Sequence, residues 1–68
     1  MLTNEEKAGI VNQHKRNIEM NKYNLQLSLM EENALDTPNA ETVASLNAQI
    51  ADLTDKLAVL DTELDSLN

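Results

Sequence analysis

Cysteine, tryptophan and phenylalanine are absent from these 68 residues. Without cysteine there is no disulfide and no thiolate metal site to support a short chain. His14 is the sole histidine, and one imidazole cannot build a zinc site alone. Tyr23 is the sole aromatic residue, and Gly9 and Pro38 are the only glycine and proline. Such a composition argues against a β-sandwich or a small barrel and suits long, unbroken helices. No window approaches the ~20 consecutive apolar residues of a membrane span. The opening Met1-Leu2-Thr3-Asn4-Glu5-Glu6 lacks the charged-then-apolar layout of a signal peptide. A soluble, intracellular protein is therefore expected.

Basic residues are scarce as well. Five Lys and Arg stand against twelve Asp and Glu, for a formal net charge of −7. That balance repels nucleic acid and anionic lipid, so neither is an expected partner. The charge is uneven. Residues 1–22 hold Lys7, Lys15, Arg16 and Lys22 against Glu5, Glu6 and Glu19, whereas residues 23–68 hold nine acids and only Lys56.

What the chain does have is an aliphatic repeat. Val43, Leu46, Ile50, Leu53, Leu57, Leu60, Leu64 and Leu67 follow one another at alternating intervals of three and four residues. Val43, Ile50, Leu57 and Leu64 take heptad position a, and the four leucines between and after them take position d. A 3.5-residue period keeps one narrow strip of a helix facing a partner helix. A basic leucine zipper would need a basic helix directly before this repeat. The residues there are Glu31-Glu32-Asn33-Ala34-Leu35-Asp36-Thr37-Pro38, acidic and broken by proline.

Thr3-Asn4-Glu5-Glu6 spells a capping box, in which the hydroxyl accepts from the Glu6 amide and the Glu6 carboxylate reaches back. A first helix is expected from about residue 4 to about residue 34. Pro38 forbids a continuous helix and suits the first position of a new one, with Thr37 as its N-cap. A second helix is expected over about 38 to 67, after a turn at 35–38. A short connection makes the two helices antiparallel neighbours, with partners whose residue numbers sum to about 73. The expected fold is all-α: one domain over 1–68, an antiparallel helical hairpin with coiled-coil heptads, assembling into a homo-oligomeric helix bundle. A chain this short buries little surface alone, so self-association is the expected source of further burial.

The first helix carries two apolar stripes on nearly opposite sides. Ala8, Val11, Ile18, Leu25 and Leu29 form one, and Met20, Tyr23, Leu27, Met30 and Ala34 form the other. A helix apolar on two sides is covered on two sides. Met20, Tyr23, Leu27 and Met30 are expected to meet the first half of the aliphatic repeat. Val11, Ile18 and Leu25 are expected to meet its later part or a second subunit. Asn21 and Ser28 interrupt the Val11–Ile18–Leu25 repeat; either they sit in the seam and fix its register, or the seam drifts past them. Ala44, Ala51 and Ala58 recur at heptad spacing, as a close-packing flank or as plain helix formers.

No residue set suggests an enzyme or a cofactor site. No serine sits in a nucleophile motif, and nothing resembles an EF-hand loop, a P-loop or a dinucleotide fingerprint. Asp52 with Asp55, and Asp61 with Asp65, read as solvated acidic faces rather than metal sites. His14 is expected to pack at the edge of the first stripe. The basic cluster His14-Lys15-Arg16 admits two roles. In one, Lys15, Arg16 and Lys22 from neighbouring subunits contact an anion such as a nucleotide phosphate. In the other, they pair within the hairpin with Asp52 and Asp55, which favours one register.

The capped first helix, the Leu35-Asp36-Thr37-Pro38 break and the heptad second helix together resemble the small, acidic, two-helix proteins of tailed bacteriophages. That resemblance implies one of two roles. One is a virion or assembly component, such as a scaffold, cement or connector-associated subunit, working by protein–protein contact. The other is a host-interaction or anti-defence protein that binds a host factor or a nucleotide. The resemblance brings no site residues with it. The expectation carried forward is a non-enzymatic protein whose main partner is itself, most simply as a dimer, with another protein as the alternative.

Overall fold

Thr3 starts the first helix as the sequence predicts. Its hydroxyl accepts from the Glu6 amide at 3.1 Å, and its own amide donates to Glu6 Oε1 at 3.0 Å. Two of the amides left unpaired at a helix start are thereby satisfied. In the computed structural model, which describes all 68 residues, helix α1 runs over Asn4–Asn33 and helix α2 over Ala40–Ser66. The two helices pack against each other, and there is no strand. The hairpin is a rod with extents of 54 × 15 × 14 Å.

The start of α2 differs from expectation. Asn39 is the N-cap, not Thr37, and its side chain accepts from the Thr42 amide at 3.0 Å. Pro38 thus precedes the cap instead of opening the helix. The reason lies across the turn: Glu32 Oε1 accepts the Asn39 amide at 2.8 Å. A proline at that position has no amide to donate, so the carboxylate selects the residue after it. Asparagine also ranks at the top of the N-cap preferences.

The ion pair differs from expectation. Lys15 Nζ lies 2.6 Å from Asp61 Oδ1, and it does not pair with Asp52 or Asp55. The chain keeps winding past Asn33 before it reverses: the Ala34 amide donates to Met30 and Glu31, and the Leu35 amide donates to Glu32.

The contact between the helices is a single strip. In α2 and its C-cap, Val43, Leu46, Ile50, Leu53, Leu57, Leu60, Leu64 and Leu67 are half-buried and every other residue is exposed. In α1 the half-buried residues are Ala8, Val11, Lys15, Ile18, Lys22, Leu25, Leu29 and Glu32, again at alternating intervals of three and four. Asn21 and Ser28 are exposed, so the strip passes beside them through Lys22 and Leu29. Ser28 bonds back to the Asn24 carbonyl at 3.1 Å.

No residue of the chain is fully buried. Two helices cover only one side of each other, so the hairpin has a strip of contact and no enclosed core. Gly9 contributes nothing to it, because a Cβ added there meets nothing within 4 Å. Its backbone is helical and not at positive φ. Gly9→Ala should therefore stabilise the protein by about 0.5–1 kcal/mol, read as a higher melting temperature by circular dichroism. A lower melting temperature would mean that something approaches the Gly9 backbone outside the hairpin.

Candidate interaction faces

The inner face of α1 carries charges that the sequence pattern concealed. Lys15 and Lys22 occupy strip positions between Val11, Ile18, Leu25 and Leu29. Their four-carbon stems cover apolar surface while the ammonium reaches water. The Lys15 side chain is 23% exposed and its partner Asp61 58% exposed. The hydrogen bond to Asp61 holds the Lys15 ammonium above its ordinary pKa; desolvation opposes this, and the charges of Asp61, Glu19 and Asp65 add to it. At the N-terminus of α1, hydrogen bonds from Thr3 hold Glu6 below the usual carboxylate range.

The proposed anion trio does not converge within one chain. Lys15 is engaged by Asp61, and Lys22 lies half-buried in the strip. Arg16 is exposed and lies roughly 100° further round α1, at 3.6 residues per turn. His14 is exposed and lines a shallow apolar groove with Ile18, Val59 and Leu60, at the edge of the first stripe as its spacing suggests. A second groove of about 470 Å³ lies open on one side of the hairpin, between Asn21, Asn24 and Ser28 of α1 and Gln49, Asp52 and Lys56 of α2. No group of three or more His, Cys, Asp or Glu could hold a metal ion. No helix is long and apolar enough to cross a membrane.

The outer face of α1 is the main departure from expectation. Met20, Tyr23, Leu27 and Met30 do not meet the aliphatic repeat. They are 56%, 58%, 37% and 59% exposed, and Leu35 in the turn is exposed as well, at 54%. The stripe that meets the repeat is the other one, through Val11, Ile18, Leu25 and Leu29. Lys15 and Lys22 decide this, because their stems complete that strip while the opposite stripe runs out upstream at Arg16 and Gln13. On α2, Val59 is the one large apolar side chain left exposed, at 67%. Ala44, Ala51 and Ala58 are exposed and away from the strip.

Comparison with protein-family models, with curated proteins and with solved structures finds no match.

The Lys15–Asp61 pair and the Thr3–Glu6 capping box each lead to a test. Lys15→Leu keeps the strip apolar and removes only a partly exposed ion pair, of the kind that contributes about 0–1 kcal/mol. Its melting temperature at neutral pH should equal or exceed that of the parent. A clear loss would show that the ion pair, and not the stem, holds the helices together. The second concerns acid. Glu6 titrates below its ordinary 4.5 in the folded protein, so its stabilisation is complete above that value and is lost as pH falls through the lowered one. The stability difference between the parent and Glu6→Gln should therefore be largest near neutrality and shrink in acid. A difference that is constant from pH 7 to pH 3 contradicts the capping-box assignment.

Proposed function

We propose that this is a non-enzymatic protein that acts by helix-to-helix contact, assembling with itself through coiled-coil-like seams. One observation carries the reading: a chain with no buried residue exposes four large apolar side chains at helix-pairing spacing on one face. Single exposed hydrophobic residues are ordinary, but a contiguous stripe on a small protein is a contact surface. The heptad spacing of the inner strip supports the same view. It keeps α2 committed to α1 along its whole length, which leaves the outer stripe of α1 available.

The size of the chain points the same way. Small domains without disulfides or metals commonly gain their remaining burial by oligomerisation. The absence of cysteine from the sequence removes the first of those alternatives.

Light scattering in solution tests the proposal. The expected mass is a multiple of the 7.6 kDa chain, and it should fall on dilution. A helical, cooperatively melting monomer at hundreds of micromolar would overturn the proposal. Leu57→Asp tests the dependence of assembly on the inner strip. Leu57 is half-buried at the middle of that strip, and a carboxylate there both removes its apolar contact and places a charge against the α1 strip. The variant should lose helicity and assembly together. Unchanged helicity and mass would contradict the assignment of the strip.

A further inference from the structure

We infer that two copies of this chain pair antiparallel through the outer faces of α1, about a two-fold axis level with Leu25, so that the four helices lie in a row, α2–α1–α1–α2. The inference rests on the self-assembly proposed above and adds the face, the direction and the arrangement.

The stripe is apolar on apolar in either direction, and its antiparallel register is a simple one. Residues whose numbers sum to 50 oppose each other in an antiparallel pair with this axis. Met20 then meets Met30 of the second copy, and Tyr23 meets Leu27. Each apolar residue finds an apolar partner, as an isologous two-fold contact requires. The flanks carry one cost: Glu19 comes level with Glu31 of the second copy, once on each side of the axis, while Asn17 comes level with Asn33.

Charge selects the antiparallel direction. Upstream of Met20 the outer face continues through Arg16, which is exposed. Downstream of Met30 the helix gives way to the turn, where Leu35 and Asp36 are both exposed. Antiparallel pairing brings Arg16 of each copy to the Leu35-Asp36 end of the other. Parallel pairing instead stacks Arg16 on Arg16 and Glu31 on Glu31, which is repulsive.

The angle between the two faces sets the arrangement. At ~100° per residue, the centre of Met20, Tyr23, Leu27 and Met30 lies roughly 150° from the centre of the inner strip. In a square four-helix bundle each helix meets neighbours on faces about 90° apart. A separation near 150° instead places α1 between α2 and the second α1. The bundle expected from sequence thus becomes a single layer. It is also staggered, because α1 begins at Asn4 and ends at Asn33 while the axis lies at residue 25.

Single-cysteine spin labels on the full chain test this, because the chain has no cysteine of its own. Gln26 and Gln13 are both exposed. In Gln26→Cys the two labels should lie within about 20 Å, because neighbouring helix axes are 8–10 Å apart. In Gln13→Cys they should be separated by about 36 Å along the axis, at 1.5 Å per residue. Short distances at both sites would mean parallel pairing, and a long distance at Gln26 would mean contact through another face. Either result overturns this inference while an oligomeric mass preserves the proposed function. A monomeric mass overturns both.

Substitutions provide a second readout. Leu27→Glu should weaken dimerisation about thirty-fold or more, as loss of a central contact does, with helicity retained because Leu27 lies outside the inner strip. Val59→Glu, on α2, should leave the mass unchanged. Arg16→Glu should weaken pairing several-fold, and adding Asp36→Arg should restore it. Dissociation by Val59→Glu, or failure of the double exchange to restore pairing, would count against the face and the direction respectively.

Discussion

The structure depends on one strip of contact between two helices. Each helix contributes eight half-buried residues to it at alternating intervals of three and four. Beside the strip, the Lys15–Asp61 pair and the Glu32–Asn39 hydrogen bond at the turn are the polar links between the helices. A strip of this kind fixes which side of each helix faces inward. It leaves the far side of both to solvent or to a partner. The outer stripe of α1 is significant for that reason: the hairpin geometry leaves it no internal use.

The two halves of the strip are built differently. The α2 half is wholly aliphatic. The α1 half includes Ala8, Lys15, Lys22 and Glu32, and of these only the lysine stems add substantial apolar cover. The asymmetry has a compensation. Lys15 reaches Asp61, and Glu32 reaches the amide of Asn39. An all-aliphatic pair of strips can slide by a heptad with little loss. Two directional contacts, one near each end of the paired region, oppose that sliding. Neither has to be strong to do so, since choosing a register needs only a difference between alternatives.

How much of this the sequence discloses varies along the chain. The strip on α2 is legible in full, because all eight of its residues are aliphatic and no others match their spacing. The capping box at Thr3 and Glu6 is legible for a similar reason: it is local, and its partners are three residues apart. The choice between the two stripes of α1 is not legible from hydrophobicity. Lys15 and Lys22 count as polar in any such pattern, although most of each side chain is hydrocarbon. The start of α2 is misread because Thr37-Pro38 is a good local start signal. It loses to Asn39 only through Glu32, a residue seven positions away. The outer stripe is visible as apolar spacing, and its exposure follows once the other stripe is known to face inward.

The Glu32–Asn39 bond also bears on how the hairpin forms. It joins the last turn of α1 to the first residue before α2, and so closes the shortest loop available between the helices. Loop-closure cost grows with the length of chain enclosed. Every later contact, from Leu29 back to Ala8 on one side and from Val43 on to Leu67 on the other, encloses a longer loop unless those nearer the turn are already made. The order of assembly is therefore written into the topology: the hairpin closes from the turn outward and opens from its free ends inward. Lys15–Asp61, far along the rod, is among the last contacts made and the first lost. A chain held in this way has its local stability graded along its length, lowest at the two termini that lie side by side.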